Sequence, residues 1–225
     1  MKDYVKIIVS RYNENLDWMR EKPFSLFKYI VYNKGTNDNF EKCNVEKIIN
    51  LSNIGRCDHT YLYHIVNNFN NLNDINVFFP GCLNIEYKKE VAKKILIGII
   101  KYRTAVFNGN KAQDIKREFN NFTLDDWSSV DVSNRSLNPE TKTYPAQIRP
   151  YGKWFNYMFG KIKVNHFCLY GILSMHRLDI IKHDINRYRQ LLNAVSVHSN
   201  SEVGHYIERS WAAIFHPLLY TKIIN

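Results

Sequence analysis

Strand-like runs alternate with helix-like runs through the first hundred residues of this chain, and no other feature restricts the fold as tightly. Residues 4–9, YVKIIV, are rich in β-branched side chains and predict a buried strand. It ends in Arg11-Tyr12-Asn13-Glu14, and a short helix through Trp18 and Met19 follows, closed by Pro23. FKYIVYN, residues 27–33, predicts a second strand stopped by Gly35, and residues 36–53 are polar apart from a short apolar segment at 45–51. Over 58–70 the apolar Tyr61, Leu62, Ile65, Val66 and Phe69 recur at helical spacing, with Asp58 in place to cap the N-terminus. INVFFPG, residues 75–81, predicts a third strand broken by Pro-Gly, and 87–102 an amphipathic helix with Val91, Ile95, Leu96 and Ile99 inward. The order predicts an α/β, Rossmann-like, mostly parallel sheet flanked by helices.

The second half is less periodic. Residues 107–150 carry Asn, Asp, Ser and Pro in clusters and predict loops with a few short elements, the kind of long ordered segment that usually carries function. HFCLYGILSMHR then predicts a strand into a turn, followed by helices over 178–195 and 203–215. No internal repeat or composition break divides the chain, so 225 residues are expected to form a single domain around one substantial core.

The formal net charge of +10 predicts attraction to anions: nucleotide phosphates, acidic glycans, nucleic acid or an anionic membrane. Lys and Arg are dispersed with no run of five, unlike the basic tails of many nucleic-acid binders. Cys43, Cys57, Cys82 and Cys168 form no Cys-x-x-Cys pair, so reduced thiols are expected. The N-terminal apolar stretch is too short for a signal peptide, and the longest apolar run, 95–100, cannot cross a bilayer. A cytoplasmic location is expected, of a cell or of an infected host cell.

In open parallel sheets ligands lie beyond the carboxyl ends of the strands, which directs attention to Arg11, Asn13 and Glu14 after the first strand and to Asn33 and Lys34 after the second. Solvated surface charge is the plainer reading of Arg11 and Lys34. Neither a dinucleotide-binding glycine fingerprint nor a P-loop is present. NIGRCDHTYLY, residues 53–63, sets Arg56 beside a helix N-terminus that suits phosphate, although Asp58 is expected to fill that position as a cap. YPAQIRPYGKWFNYMFG, residues 144–160, interleaves aromatics with cations; Arg149, Tyr151, Lys153 and Trp154 suit a sugar or nucleobase, while Trp154, Phe155 and Met158 equally suit a core. Glu202, His205 and Glu208 recur at intervals of three on one helix. They are candidates for a general base, with His205 tuning it, or for a metal set; the alternative for Glu208 is an ion pair with Arg177 or Arg209.

Read in order and nearly end to end, VSRYNENLDWM, YIVYNKG, NIGRCDHTYLYHIVNNFNNL, VFFPG, IRPYGKWF, YGILSMHRLDI and GHYIERSWAAIF resemble a family of fungal, bacterial and viral proteins grouped near glycosyltransferases of the GT-A type. The resemblance implies a nucleotide-sugar-binding half, about 1–105, and an acceptor-binding half, about 106–225. It implies a nucleoside diphosphate sugar and a glycan or protein acceptor as partners, with nucleic acid a lesser expectation. GT-A enzymes commonly carry an Asp-x-Asp after an inner strand, where two carboxylates hold the Mn2+ or Mg2+ that bridges the diphosphate. The corresponding place here reads Val77-Phe78-Phe79-Pro80-Gly81-Cys82, without a carboxylate, and Asp74 and Asp125-Asp126 lie elsewhere, so the metal ligands stay unassigned. The expected activity is sugar transfer to a hydroxyl, with Arg11, Lys34 and Arg56 neutralising the diphosphate and Glu208, or else Glu202, taking the acceptor proton. The alternative is a non-catalytic glycan- or nucleic-acid-binding protein that keeps the fold, such as a particle component. A nucleic-acid-processing enzyme is a third reading, supported by charge and aromatics alone.

Overall fold

The computed structural model describes residues 4–129, 132–137 and 141–224. Its first half runs β1 (Val5–Arg11), β2 (Lys28–Asn33), β3 (Val45–Asn50), α1 (Arg56–Asn67), β4 (Ile75–Pro80) and α2 (Glu86–Tyr102). The second runs β5 (Val106–Asn108), β6 (Asn110–Lys111), α3 (Ile115–Glu118), α4 (Val132–Leu137), α5 (Tyr151–Phe159), β7 (His166–Phe167), β8 (Leu173–His176), α6 (Arg177–Ile181), α7 (Ile185–Val195), α8 (Glu202–Ile214) and β9 (Lys222–Ile224).

Strand side chains alternate between faces, and here both faces are apolar, so the sheet must be covered on both. Val5, Ile7 and Val9 of β1, Tyr29 and Val31 of β2, and Val77 and Phe79 of β4 enter one core with Ala92, Ile95, Leu96 and Ile99 of α2. Ile8, Tyr32 and Phe78 enter the other, beneath α1, α5, α7 and α8. Ile207 and Ile214 of α8 are wholly buried there, each stabilising the fold by roughly 1.5–3 kcal/mol. The result is an α/β domain with a mostly parallel central sheet between helical layers.

The sheet order is β3-β2-β1-β4-β8, with β1, β2, β3 and β4 parallel and β8 antiparallel to β4. From β1 the chain moves outward to β2 and β3, then crosses through α1 to β4 on the other side of β1. That reversal opens a crevice at the carboxyl ends of β1 and β4. Two small ladders, β5 with β9 and β6 with β7, complete the second half.

Several elements differ from the sequence expectation. The segment at 45–51 is a full edge strand, its alternation masked because Glu46 and Lys47 face solvent. Helix α1 starts at Arg56 with Gly55 at the cap, so Asp58 is a buried residue of the first turn and not the cap. The helix expected over 178–195 is two, α6 and α7, because Asp184 accepts from the Asn186 N–H at 2.6 Å and starts a new helix. The loops expected at 107–150 carry β5, β6, α3 and α4; residues 130, 131 and 138–140 of that stretch lie outside the described ones. Among the described residues no helix is long and apolar enough to cross a membrane.

Candidate active site

At the reversal between β1 and β4 lies a cleft of about 420 Å³, within the usual range of ligand pockets. Ser10 and Arg11 of β1 and Pro80 and Cys82 at the end of β4 form its floor. One wall is the sheet edge with Tyr12, Glu14 and Lys34; the opposite wall is built by the start of α1 and by α8. Phe122, Leu124 and Trp127 from the segment before α4 cover the second wall, and Tyr87 and Lys88 at the start of α2 close one end.

The sheet-edge wall spends its polar groups on the protein's own backbone and side chains. Arg11 is wholly buried; its Nε donates to the Glu14 carbonyl at 2.7 Å, Nη1 to Asn33 Oδ1 at 2.6 Å and the Asn37 carbonyl at 2.8 Å, and Nη2 to Asn37 Oδ1 at 2.6 Å. Asn33 also accepts from the Gly35 N–H, and Asn13 Oδ1 accepts from Asn37 Nδ2 at 2.9 Å. Lys34 is buried with its ammonium donating to the carbonyls of Ile54 and Arg56, and burial brings its pKa down to about 8. Glu14 Oε2 accepts the Tyr12 N–H at 2.7 Å, and burial raises its pKa. These residues converge as their position after the strands implies. Arg11 and Lys34, however, are not solvated charges: their donors hold the loops that frame the cleft.

The α1–α8 wall is different. Gly55 and Arg56 both have left-handed backbones, φ 60° and 54°, and a Cβ at Gly55 would meet the Val195 carbonyl oxygen at 2.6 Å, so the turn into α1 requires glycine. That turn carries the Arg56 guanidinium over the Trp127 ring at 3.8 Å, with Nη1 reaching Asn200 Oδ1 at 3.4 Å. The Arg209 guanidinium lies 4.0 Å from the Phe122 ring centre and donates from Nη1 to the His205 carbonyl at 2.9 Å, while its buried Nε has no partner among the described residues. Glu208 lines the same wall with its side chain 16% exposed, and Arg209 Nη1 stands 3.7 Å from its Oε2. That contact is longer than a hydrogen bond and leaves the carboxylate with acceptor capacity facing the cleft. Below it, Asp58 is 1% exposed and accepts from Trp211 Nε1 at 3.1 Å. Burial, then the charge of Glu208, pushes the Asp58 pKa up to about 7 against the pull of Arg56. His205 is buried with its ring 5.6 Å from Trp127; burial and the two arginines keep it neutral, and its Nε2 is unpartnered among the described residues.

Other expected site residues are elsewhere. Glu202 is wholly buried and accepts from the N–H groups of Leu124 and Ala146 at 2.8 Å each, from the Tyr206 hydroxyl at 2.9 Å and from Arg149 Nε at 3.0 Å. Its lone pairs are occupied, which removes it as an acceptor of substrate protons. Arg149 is paired with Glu202 and Asp125, Tyr151 is buried against Ser210, Trp154 is core, and Lys153 is exposed on α5; none of the four lines the cleft. The set Glu202, His205 and Glu208 is not assembled around a common point, and among the described residues no three His, Cys, Asp or Glu side chains lie close enough to hold an ion. The described residues of the cleft thus offer no set of three protein ligands, and the metal ligands stay unassigned. Phe122, Trp127 and Lys88 join the site without a motif to announce them; Trp127 alone leaves a signal in the sequence, as a large aromatic stranded in a polar stretch. Lys88, in the first turn of α2, donates to Cys82 Sγ at 3.0 Å across the short connection from β4.

Compared with models of known families and with curated proteins, the sequence matches none.

Proposed function

We propose that this protein is a glycosyltransferase that moves a sugar from a nucleoside diphosphate sugar to a hydroxyl acceptor. The observation that carries the reading is Glu208, a carboxylate left with acceptor capacity among the described residues, in a cation-lined cleft at the switch point of a parallel sheet. In the reaction the acceptor oxygen forms a bond to the anomeric carbon as the bond from that carbon to the diphosphate oxygen breaks. Glu208 takes the acceptor proton, and the nucleoside diphosphate leaves with the bonding electrons. Arg56, Arg209 and Lys88 line the cleft and supply the positive charge that a departing diphosphate needs. Arg11 and Lys34 act one step back, fixing the loops at the sheet edge. Aromatic faces at Trp127, Tyr87 and Tyr170 offer stacking surfaces for a sugar or base. A catalytic metal has no ready-made ligand set among the described side chains, and no step is assigned to one.

The test is a panel of sugar nucleotides in a thermal-shift assay with and without Mn2+, followed by a product assay with the donor that shifts the melting temperature most. One donor raising the melting temperature and yielding free nucleoside diphosphate in an acceptor-dependent way supports the reading. Salt-dependent binding of RNA or DNA with no donor response would instead favour a binding protein that keeps the fold.

A further inference from the structure

Helix α2 begins beside the cleft with Tyr87 and Lys88 and runs 17 residues back along the sheet, so its last turn lies roughly 25 Å away. Ile97, 56% exposed, stands one helical turn before Lys101 on the same face of α2, and the exposed Tyr102 and Arg103 follow. The Tyr102 ring has Lys222 Nζ 3.8 Å from its centre and Lys101 Nζ at 5.2 Å. Thr104 Oγ1 donates to the Tyr220 carbonyl at 2.8 Å, and β9 pairs with β5 from Val106 onward, which ties 220–224 to the end of α2. The Tyr220 ring stacks on His176 at 5.5 Å, and His176 pairs with Ile75, the first residue of β4. This face is therefore at the amino end of the sheet, opposite the cleft, and none of its residues lines the cleft.

The segment 219–221 is held so that apolar side chains face outward. Asp179, wholly buried, accepts the N–H groups of Leu219, Tyr220 and Thr221 at 2.9, 3.0 and 2.8 Å, yet Leu219 is 67% exposed and Tyr220 49%. A single exposed apolar residue is ordinary; Ile97, Tyr102, Leu219, Tyr220 and Ile223 on adjoining segments, rimmed by cations, mark a contact surface. Residues 91–105 and 216–224 contain neither Asp nor Glu, so Lys101, Arg103 and Lys222 have no acidic neighbour on their own segments.

We propose that this face docks on an anionic lipid surface, with Leu219, Tyr220 and Tyr102 entering the headgroup boundary and Lys101, Arg103 and Lys222 meeting its negative charge. Tyrosine suits that boundary because its ring is apolar at one end and wet at the other. A second copy of the chain on this face would set like cations against one another, and Leu219 and Ile97 gain nothing from a nucleic-acid backbone. With the cleft at the other end of α2, the bilayer holds the protein in place and leaves the cleft facing away from it.

Co-sedimentation with vesicles tests this without a donor or an acceptor, so its outcome is independent of the transfer reaction. The full chain is expected to pellet with phosphatidylcholine vesicles containing roughly one third phosphatidylserine, to bind phosphatidylcholine alone about tenfold more weakly, and to be partly released by high salt. Lys101→Gln, Arg103→Gln and Lys222→Gln combined should weaken binding roughly fivefold for each charge removed. Leu219→Ser with Tyr220→Ser should remove the part that persists in high salt. These side chains are exposed, so each variant should melt with the parent; if the triple variant melts early, Lys101→Gln alone, with its single loss, carries the test. No pelleting of the parent, equal pelleting with both kinds of vesicle, or variants that bind like the parent overturn the proposal. A dimer in analytical ultracentrifugation that Leu219→Ser disperses, without vesicle binding, assigns the face to a second copy and overturns it too. Salt-sensitive binding of DNA that the triple variant loses, again without vesicle binding, overturns it in favour of nucleic acid.

Discussion

The two long walls of the cleft are made from similar residues and do opposite things with them. At the sheet edge Arg11, Asn13, Asn33 and Lys34 answer one another and the backbone, so that the guanidinium of Arg11 is wholly buried and bonded through all three nitrogens. On the helical wall Arg56 and Arg209 lie against aromatic rings, and Arg209 Nε and His205 Nε2 have no partner among the described residues. Hydrogen-bond accounting separates a wall that holds shape from a wall with capacity left for a ligand. The same contrast divides α8 itself: Glu202 accepts four hydrogen bonds and pins the segments around Leu124 and Ala146, while Glu208, six residues on, has among the described residues a single loose ion pair with Arg209.

The sharpest way to break this comparison is Glu208→Gln, which keeps the shape and removes the charge. Turnover is expected to fall by about two to four orders of magnitude with the melting temperature held, as measured by product formation at saturating donor. Unchanged turnover would place Glu208 with the shape-holding residues. Its counterpart Glu202→Gln should behave in the opposite sense, losing about 3–5 kcal/mol in a urea titration because Arg149 and two backbone donors lose their ionised acceptor. A variant as stable as the parent would show that the four hydrogen bonds contribute nothing net.

Smaller is the expected loss in Arg11→Ala, about 1–3 kcal/mol for each buried group left unpaired, read as a lower melting temperature. The position after β1 alone favours a spared fold and a weakened donor site; the buried network reverses that expectation.

The smallest effect is a change of slope with pH. His59, His64 and His183 have pKa values lowered by burial to about 4, 3 and 4, and His205 is lowered too. Their contribution is present above the unfolded value near 6.5 and is lost as pH falls toward the folded values. Asp58 works the other way: its raised pKa gives stability that is full below the unfolded value and is lost as pH rises through the folded one. Between pH 7 and 4 the two oppose each other, so Asp58→Asn should lose stability on acidification more steeply than the parent. Equal slopes would mean that Asp58 titrates normally.

Much of the fold is legible in the sequence because its strands and helices carry strong periodicity: β1, β2, β4, α1, α2 and α8 fall within a few residues of expectation. β3 is hidden by the charged residues of an exposed edge, and β9 by its length of three residues. The rule that ligands lie beyond strand ends leads to the end of the sheet where the cleft lies. It cannot separate bonded from unbonded cations, because the partners of Arg11 and Lys34 are Asn33, Asn37 and main-chain carbonyls whose proximity only the folded chain creates. Helical spacing groups Glu202 with Glu208, yet a step of six residues turns the helix far enough that one meets the 122–146 loops and the other the cleft. The aromatic stretch at 144–160 has the composition of a binding site and is mostly core, since Tyr151, Trp154 and Phe155 form one packed face of α5.

The division between the walls is tested most directly by one paired measurement on Arg56→Ala and Arg11→Ala: calorimetric affinity for the donor that stabilises the parent, beside the melting temperature of each. Arg56→Ala is expected to weaken donor binding roughly ten- to hundredfold, as loss of charge-assisted hydrogen bonds does, while melting close to the parent. Arg11→Ala is expected to lower the melting temperature and, where folded, to bind the donor with near-parent affinity. Parent-like affinity in Arg56→Ala, together with loss of binding in a fully stable Arg11→Ala, would contradict the account and place the donor's charge on the sheet edge.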